Sequence, residues 1–182
     1  MDAREKHIVL GVTGSIAAYK AADLVRKFRK KSYRVSVIMT EAAEEFITPV
    51  TLATLSGEKV WRSMFDKEAE ERIVSHLSLA NDASVLVVAP ASADMIGKIA
   101  NGLADDLLST VAMATKAPIV IAPAMNVQMY ENPIVQRNCE TLKDAGMHFV
   151  GPGDGSLACG VSGLGRLADL DEIVAETEKL IL

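Results

Sequence analysis

The chain has 182 residues, 49% hydrophobic and 24% charged, enough apolar content for one continuous core and too much for a disordered protein. A net charge of −5 without any long basic run argues against a nucleic-acid-binding surface. No apolar run reaches the roughly 20 residues of a membrane span, no signal-peptide pattern opens the chain, and Cys139 and Cys159 are too few for a disulfide framework. A cytoplasmic protein, one domain over residues 1–182, is the expectation.

In chain order, His7 to Val12 reads as a buried strand ended by Thr13-Gly14-Ser15. A helix follows, with Ala17, Ala21, Leu24, Val25 and Phe28 on one face at the offsets of a 3.6-residue repeat. Lys20, Asp23, Arg26, Lys27 and Lys30 fall mostly on its solvated side. Arg34 to Met39 and Ser84 to Ala89 are the next two clear strands, Pro118 to Ala122 a fourth, and Met147 to Val150 a short fifth. Helices are expected over Ser92–Asn101 with Gly102 as the stop, Asp105–Thr115 and Pro133–Ala145. A last helix begins near Asp169, where Glu172 completes an N-terminal capping pattern. Continuous Val/Ile/Leu strands alternating with amphipathic helices imply an α/β protein whose parallel sheet is covered on both faces.

Ligands of such sheets bind outside the carboxyl ends of the strands, near the point where strand order reverses. Four strand ends are rich in small and polar residues: Thr13-Gly14-Ser15, Met39-Thr40-Glu41, Pro90-Ala91-Ser92-Ala93-Asp94 and Pro123-Ala124-Met125-Asn126. The first is neither a G-x-G-x-x-G fingerprint nor a P-loop. Its glycine and hydroxyl at a helix start suit a single phosphate, and equally suit a tight turn capped by Ser15. Ser92 has the same two readings, a pocket wall or a plain N-cap. Asn126 offers two donors and an acceptor, enough to hold a carboxylate and an amide together. It also fits an Asx-turn with Met125 and Met129 in the core.

Gly151 to Gly165 reads as a fifteen-residue loop with six glycines, and long ordered loops are often binding flaps. Cys159 lies within it and could reach a ligand as acid, base or nucleophile, or be incidental. Cys139 shares a helical stripe with Val135 and Leu142 and reads as inert core. His7 and His148 fall in strands and read as structural. His76 lies in a connection before the third strand, as a surface histidine or a proton-exchanging group. No metal-ligand pattern accompanies any of them.

Taken together, the segments from Gly11-Val12-Thr13-Gly14-Ser15-Ile16-Ala17-Ala18-Tyr19-Lys20 to Gly163-Leu164-Gly165-Arg166 resemble the homo-oligomeric flavin-containing cysteine decarboxylases, over nearly the whole chain. The resemblance implies a three-layer, Rossmann-like sheet of order 3-2-1-4-5-6 and FMN as cofactor. It implies flavin contacts at Gly14, Ser15, Ile16, Thr40, Ser92, Ala93, Asp94, Met95 and Ala124. Asn126 matches the substrate-binding asparagine of a Pro-x-Met-Asn-x-x-Met motif, with Met129 and Ala158 also toward substrate. His76 matches an active-site histidine, and Cys159 a proton-returning cysteine on a substrate-clamping flap. Asp94-Met95 stand where the family pattern has Asn-Thr, and Tyr130 where other branches have Trp.

The bacterial coenzyme A branch of the family is the nearest in pattern. It implies 4'-phosphopantothenoylcysteine as substrate, a homotrimer or a dodecamer of trimers, and a synthetase domain or partner. Loss of carbon dioxide from a plain cysteine amide has no electron sink; the family's flavin provides one by oxidising the thiol-bearing carbon to a thioaldehyde. Decarboxylation and re-reduction of the ene-thiol complete the cycle. The alternatives are a peptidyl-cysteine decarboxylase and a non-catalytic flavin-binding regulator. A flavin prenyltransferase is disfavoured by the Ala-Cys-Gly flap, and an NAD(P)-binding reductase by the missing glycine fingerprint.

Overall fold

The computed structural model describes residues 6–65, 75–156 and 162–181. In chain order these form β1 (His7–Val12), a 3-10 turn (Ile16–Lys20) running into α1 (Ala21–Lys30), β2 (Arg34–Met39), α2 (Glu41–Glu44), α3 (Pro49–Ser56) and β3 (Val60–Trp61). Then come α4 (Ser75–Asp82), β4 (Val85–Ala91), α5 (Ala93–Ala100), α6 (Leu107–Ala114), β5 (Ile119–Pro123), α7 (Val127–Tyr130) and α8 (Pro133–Asp144). The chain finishes with β6 (His148–Phe149), β7 (Gly153–Ser156), β8 (Ser162–Arg166) and α9 (Leu170–Leu180). Six parallel strands lie in the order β3-β2-β1-β4-β5-β6, and β7 pairs with β8 as a separate antiparallel ribbon. Strand order therefore reverses between β1 and β4.

Side chains alternate across a strand, so a sheet covered on both faces needs apolar residues at every position. Along β1, Ile8, Leu10 and Val12 join a core with Leu24, Val25 and Phe28 of α1, Leu52 of α3, and Ile173 and Val174 of α9. Val9 looks the other way, into a core with Leu86 and Val88 of β4, Met95 and Ile96 of α5, Leu108 of α6, and Cys139 of α8. Phe28 is fully buried, and truncating such a side chain costs about 3–5 kcal/mol. At Gly11 a Cβ would meet the Leu108 methyls, so a larger residue there would require Leu108 to repack.

The structure redraws several expected elements. The first helix opens as a 3-10 turn. The two-residue β3 is too short to show alternation, and α2 and α3 fill a stretch given no elements from sequence. The segment before β4 that holds His76 is helical. The glycine-rich stretch expected as a loop contributes β7 and β8. Gly155, Gly163 and Gly165 carry φ of 146°, 153° and 157°, a region L-residues with side chains rarely adopt, so β-propensity could not mark these strands. At α9, Asp169 caps by accepting from the Asp171 N–H at 2.8 Å.

Candidate functional site

The carboxyl ends of β1 and β4 are joined by one buried side chain. Thr13, 1% exposed, donates through Oγ1 to the Pro90 carbonyl at 2.7 Å and accepts from the Ser92 N–H at 2.8 Å. The Thr13 N–H also donates to Pro90 O, at 3.3 Å. The β4–β5 register shifts between Val88 and Ala91, which leaves the Pro90 carbonyl to serve β1 rather than the ladder. This clamp fixes the separation of two helix starts. Ser15 caps the 3-10 turn through Ala17 N–H, and Ser92 caps α5 through Met95 N–H, each at 3.3 Å.

Between these starts and the end of β5 lies a cleft of about 420 Å³, within the usual range of small-molecule sites. Of the residues singled out from sequence, Gly14, Ser15, Ile16, Ser92, Ala93, Ala124, Asn126 and Met129 all line it. Each of the two serines caps a helix start, as the plainer reading has it, and each also lines the cleft. Asn126 also lines the cleft while its Oδ1 accepts from the Gln128 N–H at 2.9 Å in an Asx-turn, but Met129, expected in the core beside that turn, is 49% exposed. Gly14 has an additional role: a Cβ there would sit 2.6 Å from Ala42 Cβ, so the glycine admits α2 against the tip.

Thr40 lies elsewhere. It lines a second cleft of about 250 Å³ with Arg62, Met64, Phe65 and Leu108, and its buried Oγ1 has no hydrogen-bond partner among the described residues. Met95 is buried in the core behind α5, and Asp94 points outward to Lys98 at 3.6 Å. Neither lines the cleft. Lys98 also meets Asp105 at 3.1 Å and Asp106 at 2.9 Å, and the bond to Asp106 is the chief cause raising its pKa. The Asp at position 94 thus belongs to a network bracing α5 against α6.

His76, in the first turn of α4, lines neither cleft. Ala158 and Cys159 lie outside the described residues. Cys139 is 1% exposed, and burial pushes its thiol pKa up, as an inert core position requires. Among the described residues no group of His, Cys, Asp or Glu could hold a metal ion, and no helix is long and apolar enough to cross a membrane.

Sequence reasoning gave no role to several lining residues, chiefly Lys20 and Arg166. Lys20 reads as part of a solvated helix face, but the 3-10 turn changes the angular register and brings it to the cleft. Arg166 is placed by the β7–β8 ribbon, which docks where the Met125 N–H donates to the Gly165 carbonyl at 2.9 Å. A Cβ at Gly165 would collide with the Met125 carbonyl oxygen, and one at Gly163 would lie 2.9 Å from Val127 Cγ2. The glycines of that stretch therefore form a seam as well as turns.

A doubly wound parallel sheet with a small-walled cleft at its switch point defines an open α/β protein of Rossmann-like type. The chain belongs to the Flavoprotein family, whose model matches residues 1–182. It is 48% identical over 173 residues to the coenzyme A biosynthesis bifunctional protein CoaBC of Haemophilus influenzae, covering 95% of this chain but 43% of that protein. It is 46% identical over 176 residues to a probable phosphopantothenoylcysteine decarboxylase of Streptococcus mutans, covering 96% and 98%. Among solved structures, a PPC decarboxylase mutant complexed with pantothenoylaminoethenethiol superposes with a TM-score of 0.84 at 31% identity, covering 97% of this chain and 98% of that one.

The residues present fit a flavin. Gly14, Ser15, Ala17, Ser92, Ala93 and Ala124 leave a cleft wall without bulky side chains, against which a flat ring can approach backbone. Thr40 keeps a buried hydroxyl that no described residue satisfies, but it lines the second cleft and not this one. Among the described residues the cleft lining contains no carboxylate to repel a phosphate.

Proposed function

We propose that this chain is an FMN-dependent carboxy-lyase that converts 4'-phosphopantothenoylcysteine to 4'-phosphopantetheine in coenzyme A biosynthesis. The observation that carries the reading is the placement of Asn126 in one cleft with the Ser15 and Ser92 helix starts. When bound, FMN supplies reversible two-electron oxidation at the thiol-bearing carbon, the electron sink that carbon dioxide loss needs. Gly14, Ser15, Ile16, Ser92, Ala93 and Ala124 hold the cofactor. Thr40, Asp94, Met95 and His76 carry roles implied by resemblance, and only Thr40 among them has a polar atom left unsatisfied in the core.

Asn126 orients the substrate. Its Oδ1 is committed to the Gln128 N–H, so the amide plane is fixed before substrate arrives, which spares the reaction an ordering cost. Met129, 49% exposed, adds an apolar thioether to the cleft lining beside Asn126. Cys159 supplies the proton that completes the saturated aminothiol, with Ala158 beside the substrate, and His76 positions substrate or moves a proton.

The assembly belongs to the same proposal: a homotrimer, or a dodecamer of trimers, in the cytoplasm, acting with a synthetase domain or partner. Its support is the exposure of apolar side chains at both clefts, Ile16 at 59%, Tyr19 at 57% and Phe65 at 82%. The test is to load the protein with FMN, add 4'-phosphopantothenoylcysteine or a C-terminal-cysteine peptide, and follow product mass. Loss of carbon dioxide from the first alone supports the proposal. Turnover of the peptide alone would replace it with the peptidyl reading.

A further inference from the structure

We infer that Lys98 is a positioning residue for the cofactor: by gathering Asp94, Asp105 and Asp106 it screens their negative charge and so lets an anionic flavin settle at the neighbouring helix starts. The inference rests on the flavin reading and goes beyond it, because it gives a role to a side chain that lines neither cleft.

Lys98 Nζ lies 2.9 Å from Asp106, 3.1 Å from Asp105 and 3.6 Å from Asp94. One positive charge against three negative ones leaves the cluster at −2, and without Lys98 it stands at −3. The bond to Asp106 is the chief cause raising the Lys98 pKa, so the ammonium is charged at neutral pH.

Both sides of this cluster border the flavin site. Asp94 follows Ala93, which lines the main cleft, and stands in the first turn of α5. A helix start attracts an anion, and a carboxylate in the first turn competes for that attraction. Lys98, one turn further along, meets part of the Asp94 charge within the helix itself. Asp105 and Asp106 line the second cleft with Glu41. Arg62 is the cation among that cleft's described lining residues, and it reaches Glu44 at 3.5 Å. The two clefts flank one contact, since Glu41 precedes Ala42, whose Cβ would stand 2.6 Å from a Cβ at Gly14 of the main cleft. A flavin phosphate beside Gly14, Ser15 and Ser92 therefore has the acidic cluster as its neighbour.

Local structure does not require the ammonium. Asp106 divides its oxygens: Oδ1 accepts from the Ser109 N–H at 2.8 Å, and Oδ2 accepts from Lys98 at 2.9 Å. The capping box of Asp106 and Ser109 starts α6 without Lys98. The turn after α5 closes on the main chain of Lys98, whose carbonyl accepts from the Leu103 N–H at 2.9 Å. Against desolvation, the bonds from Ser109 and Lys98 hold the Asp106 pKa down, so its charge is present and has to be met.

The experiment is fluorescence titration of apoprotein with FMN and with riboflavin, at low and high salt, for wild type, Lys98→Met, Lys98→Arg and Asp105→Asn. Lys98→Met should lower the ratio of FMN to riboflavin affinity on the order of tenfold at low salt, with riboflavin itself within about threefold of wild type. High salt should return most of the ratio, and Lys98→Arg should keep it at both salts. Asp105→Asn, at a side chain 65% exposed, removes one of the three negative charges and should raise the ratio roughly threefold. That variant decides the matter if Lys98→Met does not fold.

Equal loss of both flavins in Lys98→Met would make Lys98 a brace alone and overturn the inference, as would an unchanged ratio in Asp105→Asn. A ratio lost in Lys98→Arg as well would tie the effect to shape rather than charge, and overturn it too. If wild type binds FMN and Lys98→Met binds it equally well, this inference alone falls. If wild type binds neither flavin, the flavin reading falls and takes the inference with it.

Discussion

Thr13→Val removes one hydroxyl and changes almost nothing else in shape. In the wild-type protein that hydroxyl donates to Pro90 O at 2.7 Å and accepts from the Ser92 N–H at 2.8 Å. The Pro90 carbonyl retains the Thr13 N–H, at 3.3 Å. The Ser92 N–H loses its partner at a half-buried position. A lost hydrogen bond is worth about 1 kcal/mol and an unmet buried donor about 1–3 kcal/mol, so the variant should lose roughly 2–3 kcal/mol. For a chain of this size that lowers Tm by about 4–12 °C. Thr13→Ser, which keeps both bonds, should recover most of the loss. Denaturant unfolding of the apoprotein reads stability, and flavin fluorescence quenching reads affinity, which should weaken because the two cleft walls are no longer tied. A Thr13→Val protein within 0.5 kcal/mol of wild type and with unchanged FMN affinity would refute the clamp.

Four further outcomes follow from the same geometry. Thr40→Val removes a buried hydroxyl without a described partner, so apoprotein stability should hold or rise by about 1 kcal/mol while FMN affinity falls; parallel loss of both would mean the hydroxyl serves the fold. Asn126→Asp keeps the oxygen that accepts from Gln128, so the turn and FMN binding should survive while KM rises at least about tenfold from charge repulsion with the substrate carboxylate; unchanged kinetics would leave Asn126 a turn residue. Cys159→Ser should release carbon dioxide but stall before the saturated aminothiol, and a fully active variant would remove this cysteine from the mechanism.

The fourth concerns pH. His7 is 3% exposed, its Nε2 lies 2.8 Å from Ser36 Oγ and its Nδ1 3.3 Å from the Asp82 carbonyl, and Ser36 Oγ donates to Glu58 at 2.6 Å. Burial, helped by Arg34, lowers the His7 pKa, and the bonds from Arg34 and Ser36 lower that of Glu58 against its own desolvation. Both folded-state values lie below the unfolded ones, so the unfolded chain binds more protons on acidification and stability falls. His7 acts as pH drops below about 6.5, and Glu58 only below about 4.5. His7→Gln should flatten the upper window alone, and a wild-type Tm level from pH 7 to pH 5 would contradict the scheme.

How much of this was legible can be seen residue by residue. The core strands announce themselves because a doubly covered strand is apolar along its length, as β1 is from Ile8 onward and β4 is throughout. α3 was given no element from sequence, although Pro49 suits a first helical turn and Gly57, at φ 76°, a helix stop. β3 was not readable, because two residues show no period. The docked ribbon was hidden for another reason: its glycines are selected by contact with Met125 and Val127, and tertiary contact leaves no local pattern. At the site, three of the four polar strand tips line the cleft, the Met39-Thr40-Glu41 tip lines the second one, and Asn126 is both turn and wall. Thr13, Lys20 and Arg166 were missed because their partners or neighbours across the cleft lie about 40 to 150 residues away in sequence, beyond any periodicity.

The account turns on a flavin held at the strand tips beside Asn126. Titrating apoprotein with FMN while following flavin fluorescence tests that directly. Saturable, equimolar binding that Thr13→Val and Thr40→Val weaken is the expected result. An apoprotein that folds cooperatively but leaves flavin fluorescence unchanged at every concentration would contradict it.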